Sequence, residues 1–292
     1  MFPLNYNNKI YKENNLDLIL FTDEELYNHY INYGINEGRI CNEIKSREDI
    51  IKFIPDSFSC LEIGPFDCPV IKGTNVKYFD VLNRNELIER AKNIGRISQI
   101  NNIPFIHYYN PNGNLKIIDK KFNLVLSSHC IEHQVDFIKH LNDVSELLLD
   151  DGYYIIICPD KRYCFDHFIN ESTIADIINM NINNSSTKHS LKSVIEHHVL
   201  VTHNDPIKHW AGVHGIQRID NSEYDYLLKY SIDKFKNSDE YIDVHSMQFT
   251  PLSFEKIIKI LFENNFINMS LHRLYHTKNN QIEFIAILQK IK

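Results

Sequence analysis

The residues best equipped for chemistry fall into a few groups along the chain. Glu62-Ile63-Gly64 lies where an apolar run gives way to a turn, and Asp80 closes a second apolar run. Glycine at a strand end lets the backbone approach a bound ligand. An acid at the tip of the next strand can accept hydrogen bonds from ribose hydroxyls. The separation of Gly64 from Asp80 is somewhat under the ~20 residues of dinucleotide folds. The later glycines of a strict Gly-x-Gly-x-x-Gly are also missing, with Phe66 standing at the second. A pyrophosphate would find less room at such a turn, so the pattern favours a cofactor without phosphates over NAD. Further on, His133, His167, His209, His214 and His245 are candidates for moving a proton near neutral pH, although a hydrogen-bonded structural role is open to each. Lys161 and Arg162 could hold an anionic or hydroxyl-rich acceptor, or form a solvated turn.

His197, His198, His203, His209 and His214 crowd one stretch. Metal sites favour such residues, but the spacing matches neither His-Glu-x-x-His nor a zinc-finger pattern, and no metal ligand is assigned. Asp205-Pro206 and His209-Trp210-Ala211-Gly212 read as a loop with an exposed aromatic that could stack on a sugar or another flat acceptor. His209 and His214 are accordingly expected to act in catalysis, and Trp210, His167 and His245 to touch the acceptor.

These residues need a scaffold that gathers strand ends. Ser59 to Ile63, Val76 to Phe79, Pro104 to His107, Phe122 to Leu126 and Tyr153 to Cys158 read as strands, the last buried on both faces. Helices start at the capping pairs Thr22/Glu25, Ser46/Asp49 and Asn83/Glu86 and at Asp136, with Gly34 as a C-cap. Leu26, Tyr30 and Tyr33 share one helix face. Pro251 opens a late helix after Thr250. Met269 to Tyr275 and Ile282 to Leu288 flank a polar turn as an antiparallel hairpin. The expectation is an α/β fold: a Rossmann-like, doubly wound, mostly parallel sheet closed by that hairpin. A small helical N-terminal module spans 1–45, and the domain of 46–292 carries a long helical insertion at about 161–245, a candidate lid or acceptor-binding region.

Composition sets the bounds. A chain of 292 residues with 43% apolar content can bury a sizeable core. The formal charge of −7 lacks the basic face of a nucleic-acid binder. No apolar run approaches a membrane span, and Met1 to Tyr6 lacks the start of a signal peptide. Six cysteines without a Cys-x-x-Cys pair fit buried, reduced thiols in a cytoplasmic protein. Nothing in the sequence indicates an oligomeric state.

Several segments together resemble class I S-adenosylmethionine-dependent methyltransferases, in particular a type 11-like subgroup. Leu61-Glu62-Ile63-Gly64-Pro65-Phe66-Asp67-Cys68-Pro69 is similar to their first motif. Ser127-Ser128-His129-Cys130-Ile131-Glu132-His133 is similar to their fourth-strand motif. Pro159-Asp160-Lys161-Arg162-Tyr163-Cys164-Phe165-Asp166 and Tyr241-Ile242-Asp243-Val244-His245 with Phe249-Thr250-Pro251 resemble later blocks. The resemblance covers roughly residues 55–290. It implies S-adenosyl-L-methionine as cofactor, lined by Glu62, Gly64, Pro65, Phe66, Asp80, Ser128 and His129, with His133 facing the reaction. It also implies methyl transfer to an oxygen of a small molecule or glycan. Residues 24–34 further resemble a short element appended to glycan-processing enzymes. Two other readings stay open: a metal-dependent hydrolase built on the His197–His214 cluster, and an inactive cofactor-binding subunit.

Overall fold

The computed structural model of the chain describes residues 6–35, 37–44, 46–183, 188–217, 222–238 and 242–291. Tyr241 and residues 1–5, both used in the expectations above, lie outside them. Seven strands form one sheet: β1 (Cys60–Ile63), β2 (Val76–Asp80), β3 (Tyr108–Tyr109), β4 (Phe122–Ser128), β5 (Leu148–Pro159), β6 (Met269–Tyr275) and β7 (Glu283–Lys290). Their spatial order is β3-β2-β1-β4-β5-β7-β6. The first five are parallel, and β7 runs antiparallel between β5 and β6. The Rossmann-like, mostly parallel sheet with its terminal hairpin is therefore present.

Helices cover both faces. α1 (Asn8–Asn14), α2 (Asp23–His29) and α3 (Arg47–Phe53) precede the sheet, and α4 (Arg84–Asn93) and α5 (Phe137–Leu147) lie between strands. α6 (Ile174–Asn183), α7 (Leu191–Leu200), α8 (Pro206–Trp210) and α9 (Ser222–Asn237) build the insertion, and α10 (Pro251–Glu263) leads into the hairpin. α5 and α10 pack Phe137, Leu141, Phe254 and Ile258 against Val125, Tyr154 and Ala286 on one face. The opposite face buries Leu124, Leu126 and Ile155 against Leu87 of α4 and against Tyr11, Leu26 and Ile50 of the N-terminal helices. From Tyr153 to Cys158 every residue of β5 is buried, which explains its uninterrupted apolar run.

Local capping was mostly legible. Thr22/Glu25 and Asn83/Glu86 form capping boxes, and Asp136 and Thr250 cap as expected. Four expectations are corrected. Ser46 occupies the N-cap of α3 but makes no capping bond with its side chain. The helix begun by α2 does not end at a left-handed Gly34. It passes through a π-turn, Tyr30–Gly34, and a Cβ on Gly34 would run into the Tyr11 hydroxyl. The wider turn shifts the helical register, so Leu26 and Tyr30 are buried while Tyr33 faces solvent. The third strand begins later than Pro104. Proline has no N–H to give, Phe105 is exposed, and the ladder to β2 starts where the His107 N–H donates to the Tyr78 carbonyl.

One buried group makes stability pH-dependent. His140 on α5 sits beneath the sheet with its Nε2 3.0 Å from the Tyr154 hydroxyl, which in turn lies 2.7 Å from the Ser127 hydroxyl. Burial pushes its pKa from the ordinary 6.5 down to about 4. Below pH 6.5 the unfolded chain takes up this proton and the folded chain does not, so the stabilisation present above that pH is lost as pH falls toward 4. The group accounts for a loss on the order of 3 kcal/mol across that window. Chemical unfolding of wild type and His140→Gln from pH 7 to pH 4 should show a shallower decline in the variant. Parallel declines would remove His140 as a cause.

Candidate active site

β1 pairs with β2 on one side and with β4 on the other. The chain runs outward from β1 through β2 to β3, then crosses back to β4 and β5. Where winding reverses in this way, the loops leaving adjacent strands part and open a crevice beyond the carboxyl ends. The tips that border it are Gly64 after β1, Asp80 on β2, and Ser128 and His129 at the end of β4.

The loop after β1 holds its own shape. Glu62 is buried, and its two carboxylate oxygens accept the Val70 N–H at 2.8 Å and the Ile71 N–H at 3.0 Å. Burial pushes this carboxyl up to about 7, against the lowering effect of those two bonds. Glu62 is thus committed to the loop rather than turned toward a ligand. Gly64 takes φ +70°, and the space where its Cβ would stand lies 3.7 Å from Cys130 Sγ, tying the β1 tip to the β4 tip. Phe66 takes φ +39°, a left-handed backbone at the place where a second glycine was missing. The guanidinium carbons of Arg90 and Arg96 stand 5.3 and 5.7 Å from its ring centre. Asp80 is buried at the β2 tip and accepts the Leu82 N–H at 3.2 Å, while burial raises its pKa against the lowering effect of the nearby backbone N–H groups. Between Gly64 and Asn75 there is no helix.

The β4 tip carries the densest group of ionisable side chains. His129 takes φ +49°, and its Nε2 lies 2.7 Å from Glu283, which also receives a forked pair of bonds from Arg47. Glu132 follows in the short helical turn Ile131–His133. Its carboxylate is 1% exposed, and neither oxygen has a hydrogen-bond partner among the described residues. Three imidazole nitrogens stand 3.8 Å from its Oε1: His129 Nδ1, His133 Nε2 and His245 Nε2. The ring of His245 meets that of His133 edge-on at 4.6 Å, and its Nδ1 is 2.6 Å from Asp166. His133 Nδ1 is 3.3 Å from Asp243, and Arg90 holds the other oxygen of Asp243 at 2.6 Å. Burial works against a charge on His133, but Asp243 and Glu132 outweigh it and raise its pKa. The His133 partner in turn holds Asp243 far below the usual carboxylate range.

His133 and His245, expected in different roles, are therefore neighbours. Glu132 braces no backbone with its side chain; its carbonyl accepts the Ser246 and Met247 N–H groups and so anchors the His245 segment to the β4 turn. Asp166 and Asp243 stood inside the quoted segments without an assigned role. Their contribution depends on partners 79 and 110 positions away in sequence, as 245 − 166 and 243 − 133 give, and no local spacing signals that.

The other expected residues are occupied elsewhere. Arg162 forks onto the fully buried Asp160 at 2.9 and 2.6 Å, and Thr277 bonds the same carboxylate. Lys161 donates to the His167 carbonyl. Trp210 is half-buried, stacked on Tyr163 at 4.0 Å, with its indole N–H on the Gln281 carbonyl. It is not the open platform that the sequence suggested. His209 has Nε2 on the His203 carbonyl and Nδ1 against His214 Nδ1, which leaves it no nitrogen to take a proton from substrate. The His197–His214 stretch does not act as one cluster. His197 packs edge-on against Phe165, His198 approaches the Ser231 hydroxyl, and His203, His209 and His214 gather around His167. His167 and His214 stack in parallel at 3.8 Å, so their in-plane lone pairs run side by side instead of converging on an ion. Within the stretch, His209 and His214 bring one nitrogen each within 4.8 Å of one another and of His167, and the hydrolase reading rests on that smaller group alone.

No family model matches the chain, and no curated protein matches it in sequence. Solved structures do resemble it distantly. An S-adenosylmethionine-dependent methyltransferase from Clostridium acetobutylicum ATCC 824 shares 12% identity, covering 80% of this chain and 84% of that one, with a TM-score of 0.38. The magnesium protoporphyrin IX methyltransferase from Synechocystis PCC 6803, solved with bound SAH, shares 9% over 92% of this chain and 100% of that one, at 0.38. The CurJ carbon methyltransferase shares 9% over 83% of this chain, also at 0.38, and the match spans 51% of its length. These likenesses are too distant to assign a function. No helix among the described residues is long and apolar enough to cross a membrane.

The loop makes the first functional test. Glu62→Ala strips the acceptors from two N–H groups, each costing roughly 1–3 kcal/mol when left buried and unpaired. Thermal unfolding should register a loss on the order of 2–6 kcal/mol. A loss below about 1 kcal/mol would mean the loop finds other partners.

Proposed function

We propose that the protein is an S-adenosylmethionine-dependent methyltransferase acting on a hydroxyl of a small-molecule or glycan acceptor. One observation carries the cofactor reading: the crevice at the β1/β4 reversal is bordered by a glycine turn and a strand-tip acid, yet no helix follows the turn. A pyrophosphate is held by the N–H groups that open a helix. Here the N–H groups of Val70 and Ile71 are already taken by Glu62. The site suits a nucleoside without phosphates. The motif resemblance then narrows that nucleoside to S-adenosylmethionine.

In this reading the Asp80 carboxylate receives the ribose hydroxyls, and the methionine portion runs past Gly64 toward the β4 tip. Gly64, Pro65 and Phe66 form its floor, with Ser128 and His129 opposite. S-adenosylmethionine supplies an electrophilic methyl group when bound. The acceptor oxygen must be brought in line with it and must lose a proton. The group of Glu132, His133 and His245 lies beside the β4 tip and is suited to receive that acceptor. Its carboxylates at Asp166 and Asp243 hold the imidazoles in fixed orientations.

Calorimetric titration with S-adenosylhomocysteine should give one site per chain in the wild type. Asp80→Asn keeps an acceptor for Leu82 but loses the charge. Hydrogen bonds to charged groups contribute roughly 1.5–3 kcal/mol, so the affinity should fall about 10- to 100-fold. Unchanged affinity in a folded variant would remove the ribose role of Asp80. No binding to the wild type at millimolar ligand would sink the reading as a whole.

A further inference from the structure

We propose that Glu132, His133 and His245 bind a divalent first-row transition metal ion of the zinc class. The site itself does not depend on the methyltransferase reading. One ligand atom from each of the three residues lies within 4.8 Å of the others. The carboxylate at the centre is 1% exposed and has no hydrogen bond among the described residues. A buried carboxylate in that state is costly unless a cation meets it.

The imidazoles are aimed for that purpose. His245 Nδ1 lies 2.6 Å from Asp166. That bond places the proton on Nδ1 and leaves the Nε2 lone pair facing Glu132 Oε1 at 3.8 Å. His133 stands in a similar place, with Nδ1 3.3 Å from Asp243 in an ion-pair contact without hydrogen-bond geometry, and Nε2 3.8 Å from the same Glu132 oxygen. Two imidazole nitrogens thus face one carboxylate oxygen without a hydrogen bond to it, and a bound metal ion would displace any proton on His133 Nε2. Carboxylates behind the distal nitrogens are how proteins orient metal-binding histidines. With metal–ligand bonds of about 2.0–2.1 Å, donors on a tetrahedral ion stand about 3.4 Å apart. The two 3.8 Å spacings therefore need to close by a few tenths of an ångström, and the two nitrogens, within 4.8 Å of each other, by at most about 1.4 Å.

Two imidazoles and one carboxylate select zinc, iron(II) or manganese(II) over calcium or magnesium, which prefer oxygen alone. Three protein ligands leave coordination positions open. The ion's role, as distinct from its binding, rests on the methyltransferase reading. The turn that supplies Glu132 and His133 starts at Cys130, which abuts Gly64. A hydroxyl of the acceptor is the natural occupant of an open position, where the ion would make its proton easier to lose.

Full-length protein treated with a chelator and titrated with Zn2+ should bind one equivalent by calorimetry, and Co2+ should give visible absorption bands of a low-coordinate site. His133→Ala and Glu132→Gln should each weaken Zn2+ at least 10- to 100-fold, with folding checked by circular dichroism. His133 is the more exposed of the two, so its variant keeps the test alive should Glu132→Gln not fold. His209→Ala should bind Zn2+ as the wild type does. Absence of stoichiometric binding in folded wild type, unchanged affinity in His133→Ala, or loss in His209→Ala would overturn the site. Titration of the metal-free protein with S-adenosylhomocysteine separates the two readings: cofactor binding without metal binding removes only the ion, and the reverse removes only the methyl donor.

Discussion

The reversal of strand order between β1 and β4 is the constraint on which the rest depends. It puts the ends of two adjacent strands under loops that leave in opposite directions. Everything with chemical potential then gathers there: the Gly64 turn from β1, Asp80 from β2, and His129 to His133 from β4. The hairpin adds Glu283, which grips His129, and the segment before α10 adds Asp243 and His245. The buried β5, paired with β4 on one side and β7 on the other, fixes the distance between these contributors.

The loop after β1 decides what kind of nucleotide can sit in the crevice. Two of its backbone donors, the Val70 and Ile71 N–H groups, are consumed by Glu62 on β1. That is a stable arrangement for the loop and a poor one for phosphate. Phe66 adopts a left-handed backbone without being glycine, a strain of order 1–3 kcal/mol that the surrounding bonds and the two arginines over its ring help to hold. Departure from the glycine pattern therefore changed the residue but kept the backbone course.

Features that depend on near neighbours were legible in the sequence. Strand positions follow from apolar runs, and Thr22, Asn83, Asp136 and Thr250 cap helices because the bond spans two or three residues. Where local signals failed, a distant partner had intervened. Gly34 answers to Tyr11 rather than to a helix end, Trp210 to Tyr163, Arg162 to Asp160, and Glu62 to a loop eight residues on. The candidate site was half legible. Gly64, Asp80, His129 and His133 stand in recognisable segments, and His245 was noted for a different role. The convergence of Glu132, His133 and His245, each imidazole backed by its own carboxylate, required folding across more than a hundred residues. No spacing rule anticipates it.

The most direct measurement is a crystal structure of the protein grown with S-adenosylhomocysteine. The account predicts the ligand lying across the tips of β1 and β4, ribose hydroxyls on Asp80, and the sulfur directed toward the Glu132, His133 and His245 group. A ligand seated elsewhere, or with its sulfur turned away from that group, would contradict it.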